Sequence, residues 1–289
     1  LSNGIATANV VGNPNLGPYI SKEFEAGLDF KIFDRITGTF SYSEAKNEGQ
    51  VLTVPLPALV NGGSQYQYAG TLETKSYEGT LGIDIIKDNA DMSWNVNTVF
   101  SKYRSTVTEF NRPDLQVGPN SAFLLKEGED YGSFYGEQFM TSLTQLSPDV
   151  NFGEYSINSR GYVVDALGAA QVLVDADGNP VNDKIGNTTP DFNMSFNTTF
   201  TYKNFSFYAL VDWNQGGDIY NATTQYQYRD LTSPDFDNSV SQNLTTDFFA
   251  SLYNVNKTSA AFVEDGTFVK LREVNLSYNI PSDALKNTF

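Results

Sequence analysis

The chain has 289 residues, 40% of them hydrophobic, with a formal charge of −16 and a mean hydropathy of −0.34. No apolar run approaches the ~18 residues of a membrane helix, which excludes helical spans and leaves a strand-built barrel open. With no Lys/Arg excess no nucleic-acid partner is expected, and with neither His nor Cys there is no Ser-His or Cys-His catalysis, no thiolate metal site and no disulfide.

Aromatic residues stand out, with 21 Phe, 17 Tyr and 2 Trp. They fall in segments where apolar and polar residues alternate, the pattern of a strand with one apolar face. The first strand is predicted over 23–32, with Phe24, Ala26, Leu28, Phe30 and Ile32 opposite Glu23, Glu25, Gly27, Asp29 and Lys31. Period 2 over roughly ten residues matches the length of a tilted strand that crosses a bilayer. A turn at Phe33-Asp34-Arg35 leads to the second strand, with Ile36, Gly38, Phe40 and Tyr42 on one face. Residues 46–69, with Pro55, Pro57 and Gly62-Gly63, read as a long loop.

The third strand sets Tyr77, Gly79, Leu81, Ile83 and Ile85 against Ser76, Glu78, Thr80, Gly82 and Asp84. After a turn around Lys87-Asp88-Asn89, the fourth sets Trp94, Val96, Thr98 and Phe100 against Ser93, Asn95, Asn97 and Ser101, with Val99 breaking the alternation. Residues 102–190 carry no spanning pattern. The fifth strand places Phe192, Met194, Phe196, Phe200 and Tyr202 on one face, and the sixth, after Lys203-Asn204, places Phe205, Phe207, Ala209, Val211 and Trp213 there. A loop over 215–265 precedes the seventh strand, with Val274, Leu276, Tyr278 and Ile280. Lys270 and Arg272 fall in register with Val274, so either they lie above the apolar band or a β-bulge shifts the register.

The fold class expected is all-β: an antiparallel transmembrane β-barrel portion, an open curved sheet of about seven long strands with long extracellular loops. Connections alternate short and long, which puts the turns at Asp34, Lys87 and Asn204 in the periplasm and the loops outside. Phe24, Leu28, Phe30, Phe40, Leu81, Ile83, Phe196, Phe200, Phe207 and Leu276 are expected to face lipid. Trp94, Tyr202, Phe205 and Trp213 read as interface anchors.

Several words in order add a resemblance: Asn13-Pro14-Asn15-Leu16; Val54-Pro55-Leu56-Pro57-Ala58-Leu59; Lys126-Glu127-Gly128 before Gly132-Ser133-Phe134-Tyr135-Gly136; and Phe262-Val263-Glu264-Asp265-Gly266-Thr267-Phe268-Val269-Lys270-Leu271. Ile185-Gly186-Asn187, Thr189-Pro190-Asp191-Phe192 and Gly216-Gly217-Asp218-Ile219-Tyr220-Asn221 belong to the same series. Over essentially the whole chain they resemble the C-terminal barrel of SusC/RagA-type TonB-dependent outer-membrane transporters of Bacteroidota. The resemblance implies a plugged barrel of about 22 strands, energy from TonB, a SusD-like lipoprotein lid, and import of glycan fragments (oligosaccharides) or peptides. Residues 1–289 then read as a partial β-barrel domain without the plug or the final strands. TonB would act through the missing N-terminal part. Asn287, Leu285 and Asp283 do not give Phe289 the alternation of a closing strand.

Among candidate sites, the aromatics assigned to outward loops, Tyr66, Tyr68, Tyr131, Tyr135 and Phe139, suit stacking on cargo or packing against a lid. Packing within the loops is the competing reading, and Gly132, Phe134 and Gly136 look structural. Asp175, Asp177, Asn179 and Asp183 resemble a calcium loop, but the spacing departs from that of an EF-hand and an Asp-Gly turn is favoured, so no metal site or cofactor is assigned. Glu23, Glu25, Asp29, Glu78, Asp84, Asp212 and Glu273 line the polar face, and nothing singles out a catalytic pair, so no enzyme is expected. The alternative to an importer is a secreted or surface β-rich glycan-binding or adhesin module, which would share the alternation but not the rhythm of loop lengths.

Overall fold

The computed structural model describes residues 10–56, 63–237, 239, 242–253 and 257–281. Pro57-Ala58-Leu59, Gly62 and the terminal Asp283, Leu285, Asn287 and Phe289 lie outside the described residues. Seven wall strands form one sheet: β1 Ile20–Ile32, β2 Ile36–Pro55, β3 Ser64–Ile86, β4 Met92–Glu109, β5 Pro190–Tyr202, β6 Phe205–Gly216 and β7 Phe268–Tyr278. Each pairs antiparallel with the next in sequence, an up-and-down meander with β1 and β7 at its edges. The long connection between β4 and β5 inserts nothing between them.

Register carries each apolar row straight across the wall. Leu28, Phe40, Gly79, Phe100, Met194, Trp213 and Val269 are successive partners from β1 to β7. One residue along, Asp29, Thr39, Thr80, Val99, Ser195, Asp212 and Lys270 form the adjoining row on the other face. Val99, the residue that breaks the alternation, is the one apolar member of that row.

The irregularity at Lys270 and Arg272 resolves as a bulge. Leu210 pairs with Glu273 and Val211 with Leu271, leaving Arg272 as the extra residue. Both cations thereby reach the polar face, where the Arg272 guanidinium lies 2.7 Å from the Asp212 carboxylate. Leu271 and Val269 take the apolar face in their place.

The tight turns at one end of the wall use left-handed backbone at Phe33 (φ 50°), Asp34 (φ 53°), Asp88 (φ 59°) and Lys203 (φ 51°). At the other end the strands run further than the sequence pattern suggests. The expected loop over 46–69 is strand up to Pro55 and again from Ser64, and β4 continues to Glu109. Bulges hide the extension: Gly49 (φ 77°) lies between Glu48 and Gln50 in a register shift, and Gly70 (φ 147°) adjoins another. A Cβ on Gly70 would lie 1.8 Å from the Glu109 carbonyl oxygen, so only glycine passes. Val10–Val11 adds in parallel beside the tip of β3.

Burial is inverted relative to a water-soluble sandwich. Large apolar side chains on the wall stand exposed, Phe24 at 62%, Leu28 at 61% and Leu276 at 72%. The fully buried ones, Phe248, Phe249, Phe262 and Val163, all lie in the loops.

Candidate functional site

Two long connections, 110–189 and 217–267, rise from the wall and fold together. Their roots are tied at the points where β4 to β7 end. The strand Asp218–Tyr220 pairs with Val263–Asp265. The Asp218 carboxylate accepts the Asn187 amide at 2.7 Å, the Gly216 amide donates to Thr267 Oγ1 at 2.9 Å, and the Gly266 amide donates to the Gly217 carbonyl at 2.7 Å. Gly216 and Gly217 both take positive φ there. Asn187 also donates to Asp130, which holds Arg104 of β4 at 3.2 Å. Ile185-Gly186-Asn187, Gly216 to Asn221, Asp130 to Gly136 and Val263 to Thr267 are far apart in sequence and meet here. These words build a rim that fixes how the loops leave the wall.

Above the rim the connections share their largest core. Phe139, Val164 and Ala170 of the first pack with Tyr228, Leu244, Phe248, Phe249, Leu252 and Phe262 of the second. Two short helices supply much of it: α1 Ala222–Arg229, capped by Asn221, and α2 Thr246–Leu252, capped by Thr245. Tyr228 meets Phe249 and Phe262 edge-on at 5.2 and 5.4 Å between centroids, and Tyr162 meets Phe139 and Phe248 at 5.8 and 5.7 Å. Such aromatic pairs contribute about 0.5–1.5 kcal/mol each beyond their area burial.

A polar clasp also crosses between the connections. Arg160 lies 3.1 Å from Asp235 and donates to the Tyr228 hydroxyl at 3.0 Å, Tyr228 donates to Asp235, and Lys257 pairs with Glu137. Burial pushes the Asp235 carboxyl up, but hydrogen bonds from Arg160 and Tyr228 outweigh it and hold it below its ordinary value. Burial, reinforced by the hydrogen bond to Asp235, pushes the Tyr228 hydroxyl up to about 12.

The candidate aromatics divide. Tyr66 and Tyr68 lie on β3, not in a loop, because that strand extends to Ser64. Tyr66 is 47% exposed, while the Tyr68 ring packs on Gly49, and its hydroxyl approaches Gly17. Tyr131 is 51% exposed. Tyr135 and Phe139 are buried in the loop assembly and offer no ring to solvent. Burial, with the nearby Glu129 charge, pushes the Tyr135 hydroxyl up to about 12. Phe134 is buried as well, and a Cβ on Gly136 would lie 2.4 Å from the Thr258 carbonyl oxygen.

Asp175 closes a turn. Its carboxylate accepts the amides of Asp177 and Asn179, both at 2.9 Å, and those bonds lower its pKa. Asp165, before Gly168, and Asn158, before Gly161, make the same pair of bonds to the second and fourth amides beyond. Sequence reading found one of these three Asx-x-x-Gly turns, and the repeated spacing was the signal for the other two. Among the described residues no group of three His, Cys, Asp or Glu is placed to hold a metal ion.

On the polar face of the wall, Glu25, Asp29 and Glu78 line a shallow hollow of about 580 Å³ with Thr39, Ser41 and Thr80. Thr39 and Thr80 share a hydrogen bond of 2.7 Å across it. On the opposite face lie all ten residues expected to meet lipid: Phe24, Leu28, Phe30, Phe40, Leu81, Ile83, Phe196, Phe200, Phe207 and Leu276. Aromatics mark both ends of that band. Trp94, Tyr202, Phe205 and Tyr278 stand near the tight turns, and Tyr42, Tyr77, Phe192 and Trp213 near the loops. From the Tyr202 row to the Met194 row is roughly 27 Å along a strand, or about 20–22 Å in height at the usual barrel tilt.

An antiparallel meander, apolar on one face and polar on the other and bordered by aromatics, is the wall of a transmembrane β-barrel. No family model matches the chain. It is 30% identical over 307 aligned residues, 99% of its length, to TonB-dependent receptor P3 of Formosa agariphila, and 24% identical over 94% of its length to TonB-dependent receptor P26 of that organism. In each case it spans 29% of the relative's length. Solved structures of the RagAB peptide importer superpose with a TM-score of 0.66 in both the closed-closed and open-open states, at 19% and 18% identity, covering 94% of this chain and 30% and 29% of theirs. Over nearly its whole length the chain is thus similar to a segment of TonB-dependent receptors, proteins of the outer membrane, and it shares its fold with part of the RagAB importer.

Proposed function

We propose that these residues form part of the wall and the outward loops of a TonB-dependent importer for peptides or glycan fragments. The segregation of faces carries this reading: between the turns and the rim, seven paired strands keep the apolar rows on one side, while the large side chains fully shielded from solvent lie in the loops. In this reading the ten apolar wall residues meet lipid, the polar face turns to the barrel interior, and the rim and loop assembly form the upper wall of the cargo chamber. Exposed Tyr66 and Tyr131 are the aromatics left to touch cargo or a SusD-like lipoprotein lid. TonB supplies the energy, and the reading requires no chemistry on the cargo.

Single-cysteine labelling in the complete protein tests the placement, aided by the absence of Cys from this chain. Cysteines at Phe196 and Leu276 should react with a lipid-phase maleimide, and cysteines at Asn197 and Glu273 with a water-soluble one. Uptake compared in cells with and without TonB tests the transport. A detergent-free soluble monomer with TonB-independent binding would return the adhesin reading.

A further inference from the structure

A second hollow lies on the polar face of the wall, higher up. Leu72 of β3 and Val107 of β4 are partners on the same face as Glu78 and Ser101, which are partners lower down. Climbing that face, β3 presents Glu78, Ser76 and Thr74, then Leu72 and Gly70. The lining therefore turns from polar to apolar once the strands pass the rim. Leu52, Ala69, Leu72, Val107, Phe110 and Leu125 surround a hollow of about 170 Å³, with Gln50, Gly70, Thr71 and Tyr131 completing its lining.

The Thr71 hydroxyl is already spent on Glu109 at 2.9 Å, which leaves Gln50 as the one lining amide. Tyr131 stands at the mouth with half its surface exposed, on the strip of loop whose amide bonds to Ser105 beside β4. Gly70 keeps the floor open, since its positive φ and the adjacent Glu109 carbonyl admit no side chain.

Resting on the importer reading, we infer that this hollow is a cargo subsite that takes an aliphatic or aromatic side chain of a peptide, with Tyr131 as its lid. A sugar ring entering it would bury several hydroxyls against aliphatic walls with too few partners, and each unpaired hydroxyl is costly. An apolar side chain loses nothing polar on entry and displaces water from apolar walls, as in ligand pockets with few polar anchors.

The test uses the complete receptor in detergent, with a tryptic digest of casein as the probe and mass spectrometry of the retained peptides as the readout. Wild type should retain peptides that contain Leu, Ile, Val, Phe or Met at least fivefold more efficiently than peptides that contain none of them. Val107→Phe, which fills the hollow, and Tyr131→Ala, which removes its lid, should each reduce that enrichment at least threefold. Tyr131 is an exposed ring, so its removal keeps the test valid if the filled variant fails to assemble. Wild type that retains no peptide, or retains peptides without apolar bias, overturns the inference, as does a bias unchanged in Tyr131→Ala. TonB-dependent uptake of any cargo by wild type separates that failure from failure of the importer reading itself.

Discussion

Phe196 and Asn197 are neighbours in sequence and opposites in environment. Phe196 pairs with Thr98 and Val211 on the apolar face, whereas Asn197, between Asn97 and Leu210 on the other face, accepts a hydrogen bond of 3.1 Å from Asn97. An Arg near the bilayer midplane costs about 2–4 kcal/mol. Phe196→Arg should therefore lower the yield of heat-modifiable barrel in outer membranes severalfold, while Asn197→Arg assembles as wild type. Equal yields would sink the facing assignment. Asp235 gives a prediction of a different kind. Its carboxyl is held below the ordinary 3.8 in the folded loops, so its contribution is present above that value and lost as pH falls through the folded pKa. Stepwise acidification below pH 4 should in the end expose the loops to pepsin, and Asp235→Asn should be weaker at pH 7 but change less over the same steps.

At the scale of elements, the two long connections are held together by the aromatic cluster they share, although the first also has a smaller one of its own around Met140, Leu146 and Val163. Phe249 is fully buried and touches Tyr228, Phe236 and Phe248. Phe249→Ala should cost about 3–5 kcal/mol, as large core truncations do. Limited proteolysis should then open both connections together, with cuts near Gly178 and near Asp237 appearing at the same rate. Independent cutting would show two separate loops. None of this assembly was legible in the sequence, since Phe139 and Phe249 are brought together only by the strands between them. The wall strands were legible because one side of each is uniformly apolar. Even the Arg272 bulge announced itself as a failure of parity. The tall ends of β2 to β4 stayed hidden because the shifts at Gly49 and near Gly70 reset the alternation, and Pro55 looked like a breaker when it is the strand's last residue. The motif words carry a family resemblance, but their meeting in a rim depends on contacts that no spacing reveals.

For the molecule as a whole, two solvents share the work. The loops bury their apolar residues against each other, while the wall offers its own to something outside the protein. Each large side chain left in water forgoes about 1.5–3 kcal/mol, and β1 and β7 leave unpaired edges. These residues expressed alone should therefore sediment as aggregates without detergent, and light scattering checks it; a stable monomer in plain buffer would contradict the fold assignment. The shared loop core also dictates an order of events. Phe139 and Phe249 are separated by a long stretch of chain that includes β5 and β6, so joining them early means closing a large loop against its entropy. Once that hairpin has zipped beside β4, the same two rings join one cluster, through Tyr162 and Phe248, at little further cost. Closure of the loop assembly thus comes late in biogenesis, and its protease resistance serves as a clock for a finished wall.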